Sequence, residues 1–205
     1  MAKLLKINPQ NPHSRSIKQV VDALNSGAVV VYPTDSGYAL GTALGNKSGL
    51  ERIRKIRSLG KHHHFTLMMK DLSHLGEYAK LDNTAFRLLK KILPGAYTFI
   101  LEGSRDVPNR LLHPKKKTIG LRVSNHRVVQ AILHELGEPL MSVSLIIKDH
   151  EFFDIYDICR VLEKKVDIII DDGHCPPEPT SVINFTEGAV KVTRYGAGDT
   201  SLIVQ

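Results

Sequence analysis

The sequence predicts an α/β domain built on a mixed β-sheet. Two observations support this class: apolar runs typical of buried strands are interspersed with segments of helical spacing, and the two kinds of segment do not strictly alternate. The chain has 205 residues, of which 42% are hydrophobic, and shows no internal repeat, low-complexity tract or long linker. We therefore expect one compact domain, over residues 7–200.

The N-terminal half contains two predicted helices and two predicted strands. Apolar residues recur every three or four positions over residues 14–24 and again over residues 48–58, where Gly60 follows as a stop signal. The run at residues 28–32 places β-forming residues side by side, which is typical of a buried strand. A second such run predicts a strand at residues 65–69.

The C-terminal half continues with the same two patterns. Asp82 suits the N-cap of a helix over residues 82–92, which the following Pro94-Gly95 ends. The other predicted elements are, in chain order, strands 97–101 and 118–123, helix 127–135, strand 140–146, helix 157–164, and strands 166–170, 181–185 and 189–194.

The composition excludes several classes of protein. The longest apolar runs, such as residues 166–170, are far shorter than a membrane span, and the N-terminus becomes polar too quickly for a signal peptide. The two cysteines, Cys159 and Cys175, form no disulfide framework and lack the spacing of a metal site. We therefore expect a protein of the reducing cytoplasm, without a membrane partner.

The charge favours an anionic partner. The formal net charge is +7, and Lys and Arg are concentrated in residues 52–61 and 105–127. If these segments meet on one face, they attract phosphate groups of a nucleotide or an RNA. Aromatic residues make up only 6% and tryptophan is absent, which argues against base stacking along a single strand and favours recognition of backbone or shape.

The most informative segment is Pro-Thr-Asp-Ser-Gly-Tyr-Ala-Leu-Gly at residues 33–41, directly after the first predicted strand. In an extended segment Thr34, Ser36 and Tyr38 alternate with their neighbours, so we expect the three hydroxyls to point to one side. Loops at strand ends commonly hold ligand sites in α/β proteins. The same residue types also suit a turn that only reverses the chain, and the segment alone leaves both interpretations open.

Five segments, in order along nearly the whole chain, resemble the motifs of the YrdC-like family of threonylcarbamoyl-AMP synthases, and in particular its YciO branch. They are residues 33–41, 94–99, 118–123, 179–184 and 194–198. The resemblance implies a YrdC-like single domain, with a twisted, mixed and largely parallel sheet, flanking helices and a large concave basic cleft.

The resemblance also implies a reaction, in which threonine, bicarbonate and ATP form threonylcarbamoyl-AMP and pyrophosphate for the modification of a tRNA adenosine. A carbamate carboxylate attacks the α-phosphorus and pyrophosphate leaves, so negative charge grows on phosphoryl oxygens. Lys or Arg donors and the Mg²⁺ that accompanies ATP supply most of the stabilisation in such reactions. No metal held by the protein itself is expected.

Site residues follow from the matching positions. The resemblance implies that Thr34, Ser36 and Tyr38 line the amino-acid pocket and that Arg122 holds the threonine carboxylate, for which a guanidinium is well shaped. A surface salt bridge is the other interpretation of Arg122, which its apolar strand disfavours. The implied catalytic residues are Arg57 and Ser144, and the implied nucleotide-binding residues are Arg57, Lys61, Thr118, Ser142, Ser144, Thr180 and Arg194.

Two positions depart from the family pattern. Leu59 and Ile146 stand where the family has an arginine and an asparagine that contact phosphates. Donors of this kind contribute about 3–4 kcal/mol each to a transition state, so we expect weakened or altered activity. The alternative is a non-catalytic protein on the same fold that binds double-stranded RNA, tRNA or the ribosome.

The histidines are expected to have ordinary roles. His62, His63 and His64 are consecutive, and adjacent residues rarely reach one metal ion, so this run is predicted to be a solvated basic loop or a phosphate contact. The remaining histidines, including His126, are expected at the surface. Cys175 follows an Asp-Asp-Gly turn and has no partner motif of a catalytic nucleophile.

Overall fold

The computed structural model describes residues 1–60, 63, 65–105, 107, 111–113, 115–148, 152, 154–173, 178–186, 188 and 190–203. The helices are α1 (Ser14–Asn25), α2 (Lys47–Arg57), α3 (Leu75–Tyr78), α4 (Asn83–Ile92), α5 (Arg127–Leu136) and α6 (Ile155–Leu162). The strands are β1 (Lys3–Lys6), β2 (Val30–Thr34), β3 (Gly37–Ala43), β4 (Thr66–Met68), β5 (Ala79–Lys80), β6 (Tyr97–Gly103), β7 (Thr118–Arg122), β8 (Leu140–Ser144), β9 (Ile168–Asp171), β10 (Ser181–Asn184) and β11 (Lys191–Arg194).

Every predicted helix and strand is confirmed, and four further elements are present. These are α3, β5, the edge strand β1, which lies ahead of residue 7, and the central strand β3. The sequence Gly-Tyr-Ala-Leu-Gly-Thr-Ala of β3 is rich in small residues and contains no valine or isoleucine, so it lacks the pattern that predicts a strand. Its place between β2 and β8 holds it extended instead.

The sheet is mixed, and the α/β class is confirmed. Its order is β1-β9-β2-β3-β8-β4-β7-β6-β10-β11, with β5 paired to β6. Among the described strands four pairs are parallel (β1–β9, β9–β2, β4–β7 and β6–β10) and six are antiparallel. Antiparallel pairs are therefore more numerous than a largely parallel sheet implies, because the hairpin β2–β3 places β3 at the centre and β8 and β4 then alternate in direction beside it.

Two layers of helices cover the two faces of the sheet. On the face that we call the α1/α5 face, Val20 and Leu24 of α1 and Ile132 of α5 pack against Val30 and Leu140 of the strands. On the opposite face, residues of α2, α4 and α6 pack against the alternate strand residues, whose side chains point away from α1 and α5. That cluster includes Leu50, Ile53, Leu89, Ile158, Leu162, Val31, Leu67, Phe99 and Leu121. Within the described part of the chain, no helix combines the length and apolar character needed to cross a membrane.

Candidate functional site

The turn between β2 and β3 is held closed by Thr34. The Thr34 hydroxyl donates to the carbonyl of Gly37 at 2.5 Å and accepts from the amide of Ser36 at 3.1 Å. Gly37 has a φ of 98°, a conformation that favours glycine, so the residue after the turn is constrained as well. These contacts fix the chain on both sides of Asp35.

Asp35 pairs with Arg122 at the end of β7. The Arg122 Nη2 donates to Asp35 Oδ1 and, at 3.2 Å, to Thr34 Oγ1. Both charged side chains are buried: 5% of the Arg122 side chain and 9% of the Asp35 side chain are exposed. The structure thus brings together Thr34, Ser36 and Arg122, three of the residues expected around an amino-acid pocket.

The same contact shows that the sheet is strongly curled. Three strands, β3, β8 and β4, lie between β2 and β7. Four strand spacings correspond to about 19 Å in a flat sheet, which is farther than an arginine side chain reaches. The direct contact between Thr34 and Arg122 therefore requires a concave sheet face, and these residues lie in the concavity.

The segment after β7 holds Asp35 from a second side. The Ser124 hydroxyl donates to Asp35 Oδ1 at 2.9 Å, and the Asn125 amide donates to Oδ2 at 3.3 Å. Ser124 is itself fixed, because its hydroxyl accepts from the His126 amide at 3.2 Å and its carbonyl accepts from Gln130 at 2.6 Å. We call Ser124 and Asn125 the Asp35 cradle.

His126 and Asp172 form a buried pair that sequence analysis missed. The two side chains are joined by a 2.8 Å contact between His126 Nε2 and Asp172 Oδ2, and they are only 15% and 2% exposed. The expected surface position of His126 is therefore wrong. Asp172 follows β9 and His126 precedes α5, so only the parallel pairing of β9 with β2 and the packing of α5 bring them together.

Tyr38 does not share one side with Thr34. In the β2–β3 register Tyr38 pairs with Pro33 and Thr34 pairs with Gly37, so Thr34 and Tyr38 leave the sheet on opposite faces. The tight turn interrupts the extended segment, so the side chains of residues 34–38 do not alternate as they would along one continuous strand, and the prediction that the three hydroxyls share one side is wrong for Tyr38. The Tyr38 ring packs beside the core cluster of the α2/α4/α6 face, while its hydroxyl donates to Asp172 Oδ1 at 3.4 Å.

A second polar group is formed by residues of β6 and β11 and by Thr180, which directly precedes β10. Arg194 donates from Nε to the Thr180 carbonyl at 2.8 Å and from Nη2 to the Thr180 hydroxyl at 2.9 Å, and that hydroxyl also meets Thr98 at 2.9 Å. Burial lowers the pKa of Arg194, and the nearby positive charge of Arg122 lowers it further. The charge of Arg122 is therefore near enough to act on Arg194, and an anion in this region would offset both charges.

Ser142, expected on the nucleotide side, is bonded to a fully buried tyrosine. The Tyr32 hydroxyl and the Ser142 hydroxyl are 2.5 Å apart, and burial raises the pKa of Tyr32 to about 12. Gly41 makes room for the ring, because a Cβ at that position would lie 2.7 Å from Tyr32 Cε1. Tyr32 was predicted only as a strand residue, and no local pattern marks its polar contact.

The other expected nucleotide-binding residues lie at separate positions. Thr118 is buried at the start of β7, and its hydroxyl has no partner among the described residues. Ser144 is exposed at the end of β8, and Arg57 ends α2. Burial lowers the pKa of Arg57, whose Nε also lacks a partner in the described part of the chain. Lys61 lies outside the described residues.

The histidine run is described only at His63. Partial burial lowers the pKa of His63, and the charges of Arg57 and Arg54 lower it further. The His63 ring lies edge-on to Phe65, with 6.1 Å between centroids, and the Arg54 guanidinium lies 5.1 Å from the same Phe65 ring. His62, His64 and Cys175 lie outside the described residues.

Two arginines of the basic cluster predicted at residues 52–61 form hydrogen bonds or salt bridges with other groups of the protein. Arg52 bonds to Asp167 at 2.8 Å and to the Lys165 carbonyl at 3.0 Å, and Arg54 donates to the Gly60 carbonyl at 2.9 Å. These cations stabilise the ends of α2 and β9 and are less available to a phosphate than their number in the sequence indicates.

The chain is similar in both sequence and structure to proteins of one family. A family model described as "Sua5_yciO_yrdC: Telomere recombination" matches residues 22–196. The uncharacterized protein YciO of Escherichia coli K12 is 49% identical over 201 residues, covering 97% of this chain and 98% of that protein. A crystal structure of E. coli YciO superimposes with a TM-score of 0.94 at 48% identity, over all of both chains.

The descriptions of two further relatives state an activity or a bound ligand. A threonylcarbamoyl-AMP synthase of Vibrio vulnificus is 32% identical over 132 residues, covering 63% of this chain and 70% of that protein. Sua5 of P. abyssi, solved in complex with L-threonine, shares the fold with a TM-score of 0.86 at 20% identity, covering 94% of this chain and 57% of that one. The chain therefore belongs to the Sua5/YciO/YrdC family, the superfamily of the threonylcarbamoyl-AMP synthases.

Proposed function

We propose that the concave cleft binds an amino acid and an adenine nucleotide or acyl-adenylate, and that the chain is a slow L-threonylcarbamoyladenylate synthase. One observation carries this proposal: Arg122 is a buried guanidinium in the concavity whose Nε has no partner among the described residues. An unpaired buried donor is costly, and a ligand carboxylate satisfies it. Thr34 and Ser36 lie beside it as further polar contacts.

The nucleotide is proposed to lie between Arg122 and the group of Thr180 and Arg194. The positive charge of Arg122 lowers the pKa of Arg194, which supports an anion between or beside the two guanidinium groups. The Thr118 hydroxyl, buried without a partner in the described part of the chain, is a further donor on β7. These residues would orient the reacting groups and stabilise charge on the phosphoryl oxygens.

Slow turnover is proposed because two positions supply no polar group. Ile146 follows β8 with 55% of its surface exposed, and Leu59 packs partly buried against the core. Neither aliphatic side chain donates a hydrogen bond to a phosphate. Arg57, whose Nε is unpartnered among the described residues, is the remaining phosphate contact in this proposal.

Mg²⁺ is proposed to arrive with ATP. In the described residues no group of three His, Cys, Asp or Glu side chains lies close enough together to hold a metal ion. The guanidinium and hydroxyl groups of the cleft suit phosphate oxygens, and Arg57, Thr180 and Arg194 would hold the nucleotide that carries the metal. When bound, Mg²⁺ neutralises charge on the departing pyrophosphate.

The deciding experiment is pyrophosphate release with ATP, threonine and bicarbonate, measured beside the V. vulnificus synthase. We expect release that depends on both threonine and bicarbonate and is slower by orders of magnitude than that of the relative. Calorimetry with ATP, AMP and threonine, singly and together, measures binding separately from turnover. The absence of heat with every ligand at millimolar concentration would refute the proposed site, and turnover equal to the relative's would refute the proposed effect of Leu59 and Ile146.

RNA binding is a second candidate function, favoured by one observation. Lys115, Lys116 and Lys117 are consecutive and all exposed ahead of β7. A gel-shift series with double-stranded RNA and tRNA should show affinity that falls as salt rises, and weaker binding when the three lysines are replaced by alanine. Binding that is absent, or insensitive to salt, removes this candidate. Both functions are proposed for the cytoplasm.

A further inference from the structure

Arg122 is paired with a carboxylate from the protein itself. Arg122 Nη2 is shared between Asp35 Oδ1 and Thr34 Oγ1, whereas Nε, on the same edge of the guanidinium, has no partner among the described residues. A carboxylate that binds this edge with both oxygens needs Nε and Nη2 together. Such a ligand therefore competes with Asp35 for Nη2.

Asp35 keeps other donors when Arg122 is withdrawn. The Asp35 cradle supplies the Ser124 hydroxyl to Oδ1 at 2.9 Å and the Asn125 amide to Oδ2 at 3.3 Å. Ser124 is fully buried and held by Gln130, so this donor stays in place without a ligand. The remaining donors reduce the cost of withdrawing one partner from a buried carboxylate.

The local charge also permits two carboxylates. Arg122 and Arg194 place two positive charges near one region, and Asp35 balances one of them. The charge of Arg194 therefore adds to that of Arg122, so an incoming carboxylate does not have to replace the charge of Asp35.

We propose that Asp35 is a placeholder for the ligand carboxylate: it pairs with Arg122, yields Nη2 when a ligand carboxylate binds, and remains on the Asp35 cradle. This proposal rests on the proposed function, because it concerns the same carboxylate position. It assigns Asp35 as a positioning residue, which keeps the buried guanidinium in place and sets how tightly a carboxylate binds.

The test is a double-mutant cycle on L-threonine binding, measured by calorimetry. Asp35→Asn removes the competing charge but keeps the shape, so we expect threonine affinity to rise by about tenfold. Ser124→Ala removes a donor that the displaced Asp35 needs, so we expect weaker binding in the wild-type background and no effect in the Asp35→Asn background. A merely structural role predicts that both variants weaken binding additively, and that result would overturn the proposal.

Two further probes separate this proposal from the proposed function. Acetate is a minimal carboxylate that requires no amino-acid pocket, and we expect Asp35→Asn to tighten its binding too. Threoninol lacks the carboxylate, and its affinity should not rise. If neither wild type nor Asp35→Asn binds threonine, but Asp35→Asn binds acetate more tightly than wild type does, the proposed function fails and the placeholder proposal is supported. If threonine binds to wild type and Asp35→Asn does not bind it more tightly, only the placeholder fails.

Wild-type protein provides a test that does not depend on the folding of a variant. Nuclear magnetic resonance of the arginine Nε–H groups should show the Arg122 signal moving saturably as threonine or acetate is added. The Asn125 amide should keep its hydrogen-bonded shift, because Asp35 stays on the cradle. A saturating ligand that leaves the Arg122 Nε signal unmoved, or that releases the Asn125 amide, contradicts the proposal.

Discussion

The guanidinium of Arg122 and the hydroxyl of Thr34 lie 3.2 Å apart although three strands separate β7 from β2. This contact joins the two sides of the concave face and places a buried charge at its centre. Substitutions around Asp35 and Arg122 therefore test directly how this part of the cleft is stabilised.

Replacing Arg122 should destabilise the fold. Arg122→Gln leaves the buried Asp35 carboxylate with only the neutral donors of the Asp35 cradle, so we expect the free energy of unfolding to fall by about 1–3 kcal/mol in urea titrations. The matched control is Arg160→Gln, which removes an arginine that is 73% exposed and pairs with Asp157. Exposed pairs contribute about 0–1 kcal/mol, so equal losses in the two variants would contradict the assigned burial.

Enlarging Gly41 should disturb the buried tyrosine. A Cβ at residue 41 meets Tyr32 Cε1 at 2.7 Å, so Gly41→Ala displaces the ring and its 2.5 Å contact with Ser142. We expect a loss of about 1–3 kcal/mol in the free energy of unfolding. Gly76→Ala in α3 is the control, because a Cβ there has no neighbour within 4 Å, and it should leave stability nearly unchanged.

The buried tyrosine also predicts a loss of stability at alkaline pH. The pKa of Tyr32 is raised from 10.0 to about 12 in the folded protein, mainly by burial. The unfolded chain therefore releases this proton first, and the stabilisation that is complete below pH 10.0 is lost as pH rises toward 12. Thermal unfolding midpoints measured across this range should fall more steeply for wild type than for Tyr32→Phe, and parallel curves would exclude the effect.

The pair of His126 and Asp172 should stabilise the start of α5. His126→Ala leaves the buried Asp172 carboxylate with the longer Tyr38 contact, so we expect a loss of about 1–3 kcal/mol in the free energy of unfolding. His134→Ala is the control on the same helix, since His134 is exposed. Indistinguishable denaturation curves for the two variants would show that the His126 contact does not contribute.

Ligand binding should separate Arg57 from Tyr38. Arg57→Ala removes an unpaired guanidinium donor, so we expect AMP and ATP affinity to fall by about 1.5–3 kcal/mol, the usual contribution of a hydrogen bond to a charged group. Tyr38→Phe removes a hydroxyl that contacts Asp172 on the sheet face opposite Thr34, so the affinities for AMP and threonine should both stay nearly unchanged. Calorimetry with each ligand alone checks this, and a Tyr38→Phe effect on AMP would contradict the assignment.

Much of the architecture was predictable from local patterns. The helices at 14–24 and 127–135 and the strands at 28–32 and 118–123 appear within two residues of their predicted bounds. Their apolar spacing reports which side of each element is buried, and that information lies within a few residues of sequence. Strand β3 escaped prediction because its small residues are extended by their neighbours and not by their own preference.

The candidate site was only partly predictable. Thr34 and Arg122 were identified through a resemblance in motif, but the carboxylate that holds Arg122 was not. Asp35 was seen only as a turn residue, and it stands 87 positions from its partner in the chain. Asp172 and His126 are 46 positions apart, and each resembles an ordinary turn or surface residue in its local sequence.

The sequence by itself determined the α/β class, the position of most elements and the hydroxyl-rich turn after β2, because periodicity and turn chemistry act over short distances. Only the tertiary structure decided that the sheet curls until Thr34 touches Arg122, that Tyr38 leaves the opposite face, and that Asp35 and Asp172 are buried acids with specific partners. Strand order and curl result from the packing of the whole chain, so the pairing of distant charges is not written in any local segment.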